Sequence, residues 1–366
     1  MNANQNTAPQ YDKNVGDTIH FAKLREQVKL ILPTLPASRL IVTKFKAIIL
    51  PAIYLGFYTV AQFQTSFLLF CLAYVFMGLM LVIIFLNLVH EACHNILFKS
   101  KKINRRFITL FDLIGANSYM WKKRHIMLHH NYPNVAGWDS DIEKSKFLKV
   151  HPLDHKKKSH QYQYFIVLLY PLFITNWFLV RDFKDFFNPN MIVRKVTKVP
   201  LQEYFKLFFF KLFFIGYLVV VPAFITNFSW AQIVLALFLM LLTAGLFALT
   251  VLLPPHVNSN NQFPVADSKM NLKQSWLLHQ LITTNDVNTK NWFSRHIMAN
   301  SNLHVVHHLF PNISYVYAEE ITEIIKNYCK HEGLPYKSYS LFKTFKDHFN
   351  LIKRNGLSIN IMEESL

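Results

Sequence analysis

Cysteine is scarce in this 366-residue chain, with three in all. Cys71, Cys93 and Cys329 follow no regular spacing, which excludes a disulfide framework and favours reduced, cytosol-facing chemistry. Glycine is scarce too, at nine residues, and no internal repeat or long low-complexity linker is found. The first 45 residues carry charges throughout and hold no apolar core before a small-residue cleavage site, so no secretory signal peptide is expected. Acidic residues are few: 21 Asp and Glu stand against 39 Lys and Arg, for a net charge of +18. A basic balance of this size suits nucleic acid, anionic lipid or an acidic ligand, and the placement of the charges decides among them.

What is abundant is apolar. Hydrophobic residues make up 52% of the chain and Phe alone accounts for 34 residues, too apolar for an ordinary soluble domain and too charged for bare spans. Four stretches approach the roughly 20 apolar residues needed to cross a bilayer. They lie at about 47–63, 67–89, 212–228 and 231–253. They form two hairpins whose turns, Gln62 to Ser66 and Thr226 to Trp230, hold no Lys or Arg. The opposite flanks are crowded with them: Lys44 and Lys46, Lys99 to Arg106, and Arg194 to Lys198. Positive charge collects on cytoplasmic loops, so both termini and the middle region are expected in the cytoplasm. Topology therefore accounts for most of the net charge, and nucleic acid is not expected as a partner. A further apolar stretch, Tyr164 to Val180, has basic flanks on both sides and reads as an interfacial helix, as does Phe107 to Tyr119. The expected architecture is an all-α integral membrane protein. It comprises a cytoplasmic segment (1–45), a membrane domain (46–335) with its 90–211 and 254–335 parts cytoplasmic or interfacial, and a cytoplasmic tail (336–366). A helical cap on the cytoplasmic face would carry the site.

Histidine marks that site. Eight of the 17 histidines fall into three groups: His90 and His94; His125, His129 and His130; His304, His307 and His308. On a helix, residues three or four apart share a face, their Cβ atoms about 5–6 Å apart. His90 with His94, His125 with His129, and His304 with His307 and His308 can thus each aim at a common centre. His130 lies about a quarter-turn off, within reach of a second one. Eight imidazoles exceed what one tetrahedral zinc can use and suit a metal pair. Imidazole accepts zinc, copper, iron or nickel, so the ligands do not name the metal. His256, after Pro254-Pro255 at the end of the fourth span, reads either as an interfacial residue or as a ninth ligand. Glu91, Asp139 and Asp141 are candidates to accept the outer ring N–H of a ligand, although Asp139 and Asp141 suit turns or caps equally well. Lys122, Lys123 and Arg124 read first as a solvated or lipid-facing charge run, and second as a contact for an anionic head group.

These motifs resemble the membrane fatty acid desaturase family, whose three histidine boxes read here His90–His94, His125–His129–His130 and His304–His307–His308. Asn131, Tyr132, Pro133, Asn134, Gly137, Asp139, Asp141 and Ile142 strengthen the match, as do Asn302 and the run His307 to Pro311. The resemblance spans roughly residues 45–335 and leans toward the linoleoyl-CoA and front-end desaturases. That branch often carries Gln where this chain has His304. Many members also carry a fused cytochrome b5 domain with a His-Pro-Gly-Gly motif, absent here, which implies a separate donor, a ferredoxin or a free cytochrome b5. The resemblance implies two non-haem iron ions held by the eight box histidines and His256, with Asn131 and Asn302 among the supporting residues. It also implies O2 as oxidant, and a double bond, cis by expectation, placed in an acyl chain carried by CoA or a lipid. A bacterial inner membrane is favoured over the endoplasmic reticulum. A related di-iron hydroxylase or ketolase is the first alternative. A membrane metal carrier ranks lower, because the spans hold few ionisable residues. His90-Glu91-Ala92-Cys93-His94 also fits HExxH, the zinc protease signature with Glu91 as general base, but that reading leaves six clustered histidines unused. Elemental analysis of the purified chain separates these: about two irons per chain are expected, whereas about one zinc would favour the protease.

Overall fold

The computed structural model describes residues 7–13, 15–143, 148–166, 172 and 177–357. Among the described residues, four helices are long and apolar enough to cross a membrane: Arg39–Gln62, Phe67–Cys93, Leu201–Ile225 and Trp230–Leu252. The second and fourth begin within a residue of the expected positions. The first and third begin earlier than their hydropathy suggests, because the helix continues through charges that the fold pairs. In the first span, Lys46 donates to Asn87 Oδ1 (2.6 Å), His296 O (2.8 Å) and Tyr315 Oη (3.0 Å). In the third, Lys211 meets Asp182 (2.7 Å) and Lys206 meets Glu203 (2.8 Å). The fourth span opens on a capping box: Ser229 Oγ accepts from Gln232 N, and the Gln232 side chain accepts from Ser229 N.

The second span is the centre of the bundle, packing against the first and the fourth. Phe70, Tyr74, Met77, Leu81, Ile84 and Leu88 are all but fully buried along it. Lipid tails are as apolar as leucine, so such helices associate through close packing and interhelical hydrogen bonds. Both appear here. A Cβ on Gly78 would stand 2.2 Å from Met240 O, so only glycine lets the second and fourth backbones approach this closely. Tyr74 Oη donates to Leu218 O at 2.6 Å, and Tyr54 and Tyr217 share a hydrogen bond of 2.8 Å. Apolar side chains such as Ile48, Leu68, Leu212 and Phe224 stay exposed on the outside, as a lipid-facing surface requires.

The polar part is also helical. Helix Val15–Ile31 packs on Trp276–Thr283 and Ala318–Glu332 through Leu24, Val28, Leu281, Ile321 and Ile325, and His304–Leu309 packs on those two helices. Among the described residues, strand content is two short parallel pairs, Gln10–Tyr11 with Asn271–Leu272 and Asp286–Val287 with Ser338–Tyr339. Residues 336–357, expected as a tail, fold back. Beyond the second strand pair, helix Leu341–Leu357 is tied by Gln163 Nε2 to Ile352 O (2.6 Å) and by His348 Nδ1 to Val257 O (2.5 Å). Of the apolar stretch expected along the interface, 167–171 and 173–176 lie outside the described residues, as do 358–366 of the expected tail. The stretch from Phe107 to Tyr119 is not one helix: Lys101–Phe107, Leu110–Leu113 and Ser118–Lys123 replace it, with Asp112 accepting from both the backbone and side chain of Ser118.

Gly78→Ala is expected to cost about 1–3 kcal/mol by overpacking the second and fourth spans. The measurement is a melting curve in detergent micelles. Gly56→Ala, whose Cβ meets nothing within 4 Å, is the control that should leave the curve in place.

Candidate metal centre

The first two histidine boxes ride on local departures from the regular helix, and the third sits on a short regular one. The second span widens into a π-turn at Phe85–Val89, completes one α-turn at His90–Cys93 and stops where Asn95 takes a left-handed φ of 62°. Helix Ser118–Lys123 runs into a second π-turn, Arg124–His129, in which His130 N donates to His125 O at 3.0 Å. The third box is a single short helix, His304–Leu309, whose Val305 N is capped by Asp286 Oδ1 at 2.8 Å.

The boxes converge, and His256 joins them. His90, His94, His125 and His307 form one group, and His129, His256, His304 and His308 form another. Within each, the candidate ligand atoms all lie within 4.8 Å of one another. His130 sits between the groups, its ring 4.5 Å from His307 and 4.6 Å from His308. The partition differs from the spacing rule in two places. His125 and His129 do not share a centre, because a π-turn holds more residues per turn than an α-turn. It brings His130 edge-on to His125 (rings 4.4 Å) and leaves His129 further off (5.9 Å). His304 pairs with His308, whereas His307, about 100° round the helix from its neighbour, faces His90 at 4.3 Å.

The outer ring atoms of the second group are all engaged. His129 Nδ1 meets Asp139 at 3.1 Å and Asp141 at 3.4 Å. His256 Nδ1 meets Thr283 O at 3.3 Å, His304 Nδ1 meets Ser301 O at 3.3 Å, and His308 Nδ1 meets Gln280 Oε1 at 2.9 Å. Each partner is a hydrogen-bond acceptor, so each ring carries Nδ1–H, which in neutral His256, His304 and His308 leaves Nε2 bare. His130 Nδ1 and the Nε2 atoms of His256, His307 and His308 are buried with no partner among the described residues. A buried lone pair left unmatched costs about 1–3 kcal/mol, and several that converge fit a cation. His94 Nε2 and His130 Nε2 each stand 3.1 Å from His125 Nε2, a distance that suits an N–H···N hydrogen bond in one choice of tautomers and a shared cation in another. The residues present therefore fit a metal site.

Electrostatics keeps most of the cluster unprotonated. Burial, aided by Lys122, lowers His94 to about 4, and burial with His129 nearby lowers His304 to about 3. His125, His130, His256, His307 and His308 lie well below the ordinary imidazole value, by burial first and neighbouring imidazoles second. His129 is the exception. Burial opposes its charge, but Asp141 and Asp139 outweigh burial and push it up to about 9. The two carboxylates favour positive charge at this ring, whether proton or metal.

Other candidates have different partners. Glu91 accepts from Ser314 Oγ (2.5 Å) and Tyr315 N (3.4 Å) and touches no imidazole, which leaves the zinc-protease reading without a base poised at the metal group. Asn131 bonds back to Ile126 O and Met127 O, each at 3.1 Å, and Asn302 ties Val287 O (2.9 Å) to Thr289 O (2.7 Å). Among the described residues neither side chain hydrogen-bonds an imidazole. Arg124 is buried against Asp185 (3.1 Å) and so is not a head-group contact. Sequence reasoning missed Gln280, whose only signal is a polar residue on the buried face of Trp276–Thr283. Asn134, singled out in the sequence only as part of the family match, donates its amide to His256 O and Gln262 O (3.1 Å each) and to Thr283 O (3.3 Å).

A cavity of about 760 Å³ runs past both groups, touching His90, His125, His129, His256, His304 and His307. Its walls include Phe85, Leu86, Leu249, Leu252 and Leu253, while Arg181, Lys184 and Asn188 also border it. The size is that of a small-ligand pocket, and the walls are those an apolar chain would need.

An all-α membrane protein with a buried, histidine-lined, metal-compatible centre beside an apolar cavity is the class these features define. A family model for fatty acid desaturase matches residues 65–340, and the chain belongs to that family. It is 29% identical to the sn-1 linoleoyl-lipid 6-desaturase of Synechocystis over 70% of this chain and 72% of that protein. It is 27% identical to the acyl-lipid (8-3)-desaturase of Physcomitrium patens over 83% of this chain and 64% of that protein. A second sn-1 linoleoyl-lipid 6-desaturase, from Arthrospira platensis, is 26% identical over 70% of this chain and 69% of that protein. The chain is thus a membrane fatty acyl desaturase, an oxidoreductase, and these relatives place it in the branch with the front-end enzymes.

The pKa directions set a pH dependence. A base whose folded value is depressed binds no proton while the unfolded chain, with imidazoles near 6.5, already does. Stability is therefore lost as pH falls below about 6.5. His129, raised to about 9, contributes oppositely: its share is full below 6.5 and lost as pH rises through 9. The metal-free protein should show a melting temperature that drops steeply between pH 6.5 and pH 4. A flat profile there would mean that protons reach these rings freely.

Proposed function

We propose that the nine histidines hold two iron ions and that the chain introduces a cis double bond into an acyl chain carried by a membrane lipid. The observation that carries this reading is the division of the imidazoles into two groups of four, with His130 between them and an apolar cavity alongside. The balanced reaction takes two hydrogens from adjacent methylenes, one O2, two electrons and two protons, and yields the alkene and two waters. Bound iron would supply the oxidising chemistry, which no side chain here provides.

The chain's own residues do the rest. The imidazoles of the second group would hold an ion with Nε2, and the acceptors on their Nδ1 atoms keep those rings from turning. Methylenes along an acyl chain are chemically alike, so choice among them comes from holding the chain in register. Phe85, Leu86, Leu249, Leu252 and Leu253 form walls that can do this and exclude water from the reacting carbons. The electrons come from outside, from a ferredoxin or a free cytochrome b5. Both termini lie on the cytoplasmic face, in keeping with the basic loops, and a bacterial inner membrane is the expected location.

Expression in a host with simple lipids, followed by mass spectrometry of its fatty acids, tests the reading. A new double bond is expected from the wild-type chain and none from His307→Ala, with iron near two per wild-type chain. A hydroxylated or keto product in place of the alkene would overturn the desaturase outcome. Full activity in His307→Ala would remove the third box from the centre.

A further inference from the structure

The acceptors behind the second group are unlike in one respect. His129 is backed by carboxylates, and His256 and His304 by backbone carbonyls. None of these can exchange an acceptor for a donor while the carboxylates stay ionised and the backbone stays in place. His308 is backed by the primary amide of Gln280, which offers an oxygen on one side and an NH2 on the other. Turned one way, Gln280 accepts Nδ1–H and frees Nε2 for a metal. Turned the other, it donates to Nδ1, moves the ring proton to Nε2 and blocks coordination there.

A second hydrogen bond settles the orientation. Gln280 Nε2 donates to His130 O at 3.3 Å, while Oε1 faces His308 Nδ1 at 2.9 Å. Gln280 is fully buried, so water does not compete for either end. Its helix, Trp276–Thr283, is pinned at the same level by His279 Nε2 to Pro133 O (3.0 Å) and by His256 Nδ1 to Thr283 O. The backbone of the second box thus orients the amide, and the amide orients a ring of the third box.

We infer that Gln280 is a positioning residue that fixes the metal-binding tautomer of His308 and so sets the affinity of the second group for its ion. The inference rests on the metal-centre reading above and goes beyond the box residues themselves. Gln280 touches no ion and no substrate in this arrangement. Its effect passes through His308 alone.

The test is a Co2+ titration of the metal-stripped full-length chain in micelles, read by ligand-field absorption and by bound cobalt per chain. Wild type is expected to take up two ions. Gln280→Leu, similar in volume but without an acceptor, should bind the first ion normally and the second about 10–100-fold more weakly. Gln280→Glu keeps an oxygen facing Nδ1 and should retain both ions within a few-fold. Equal loss in the Leu and Glu variants would point to packing and overturn the inference, as would wild-type affinity for both ions in Gln280→Leu. Should Gln280→Leu fail to fold, Gln280→Asn takes its place: the amide persists but is one methylene too short, so loss of the second ion supports the role and retention overturns it. A wild-type chain that takes up no cobalt overturns the centre itself. One that binds two ions yet makes no double bond overturns the desaturase reading and leaves the role of Gln280 standing.

Discussion

The constraint on which the structure depends is the crowding of nine imidazoles, six of them buried and His90, His125 and His307 half-buried, with little anionic charge among them. The carboxylates in contact with the cluster, Asp139 and Asp141, both lie against His129. The other rings present buried nitrogen lone pairs to one another, an arrangement that costs free energy unless a cation sits between them. The fold carries that cost through packing elsewhere: the second span buried along most of its inner face, the Gly78–Met240 contact, and the helical cap built on Leu24, Leu281, Ile321 and Ile325. The site is thus held in place by the scaffold in an arrangement compatible with a bound cation.

Helix geometry distributes the rings. A regular α-helix would have sent His125 and His129 to one centre and left His130 aside. The widened turn at Arg124–His129 reassigns them, so that one box serves both groups and the space between. A π-turn places the backbone amides off their usual register and is tolerated here because neighbouring elements grip it on both sides. Arg124 is locked to Asp185, and Asp139 holds His129 while accepting from Asn134 N at 2.8 Å. The third box needs no such distortion. Its two adjacent histidines point into different groups because neighbours on a helix always differ by about 100°.

Charge placement follows a similar economy. Cations that look like a surface run in the sequence serve different purposes in space. Arg124 is a buried strut, Lys46 and Lys211 tie spans to loops, and Lys195 lies over the Trp138 ring at 4.9 Å. Net charge is therefore a guide to topology and a poor guide to which lysine or arginine is free to meet a ligand.

The sequence alone determined the class of fold, four spans in two hairpins, because twenty-residue apolar runs have few other outcomes in a folded chain. It also determined the eight box histidines, since their spacing is local and helical neighbours can be counted. It could not determine how those histidines divide between two groups, because that depends on two π-turns that no residue pattern announces. Nor could it choose between the two readings of His256 or find Gln280. Both act through contacts across long sequence separations, His256 on His129 and Gln280 on His130 and His308. Glu91 and Asn302 looked like partners of the cluster because they are near it along the chain, yet they hold backbone together instead. Sequence spacing measures distance along one helix, whereas the outer side of each ligand ring is filled by whichever element the tertiary packing brings up behind it.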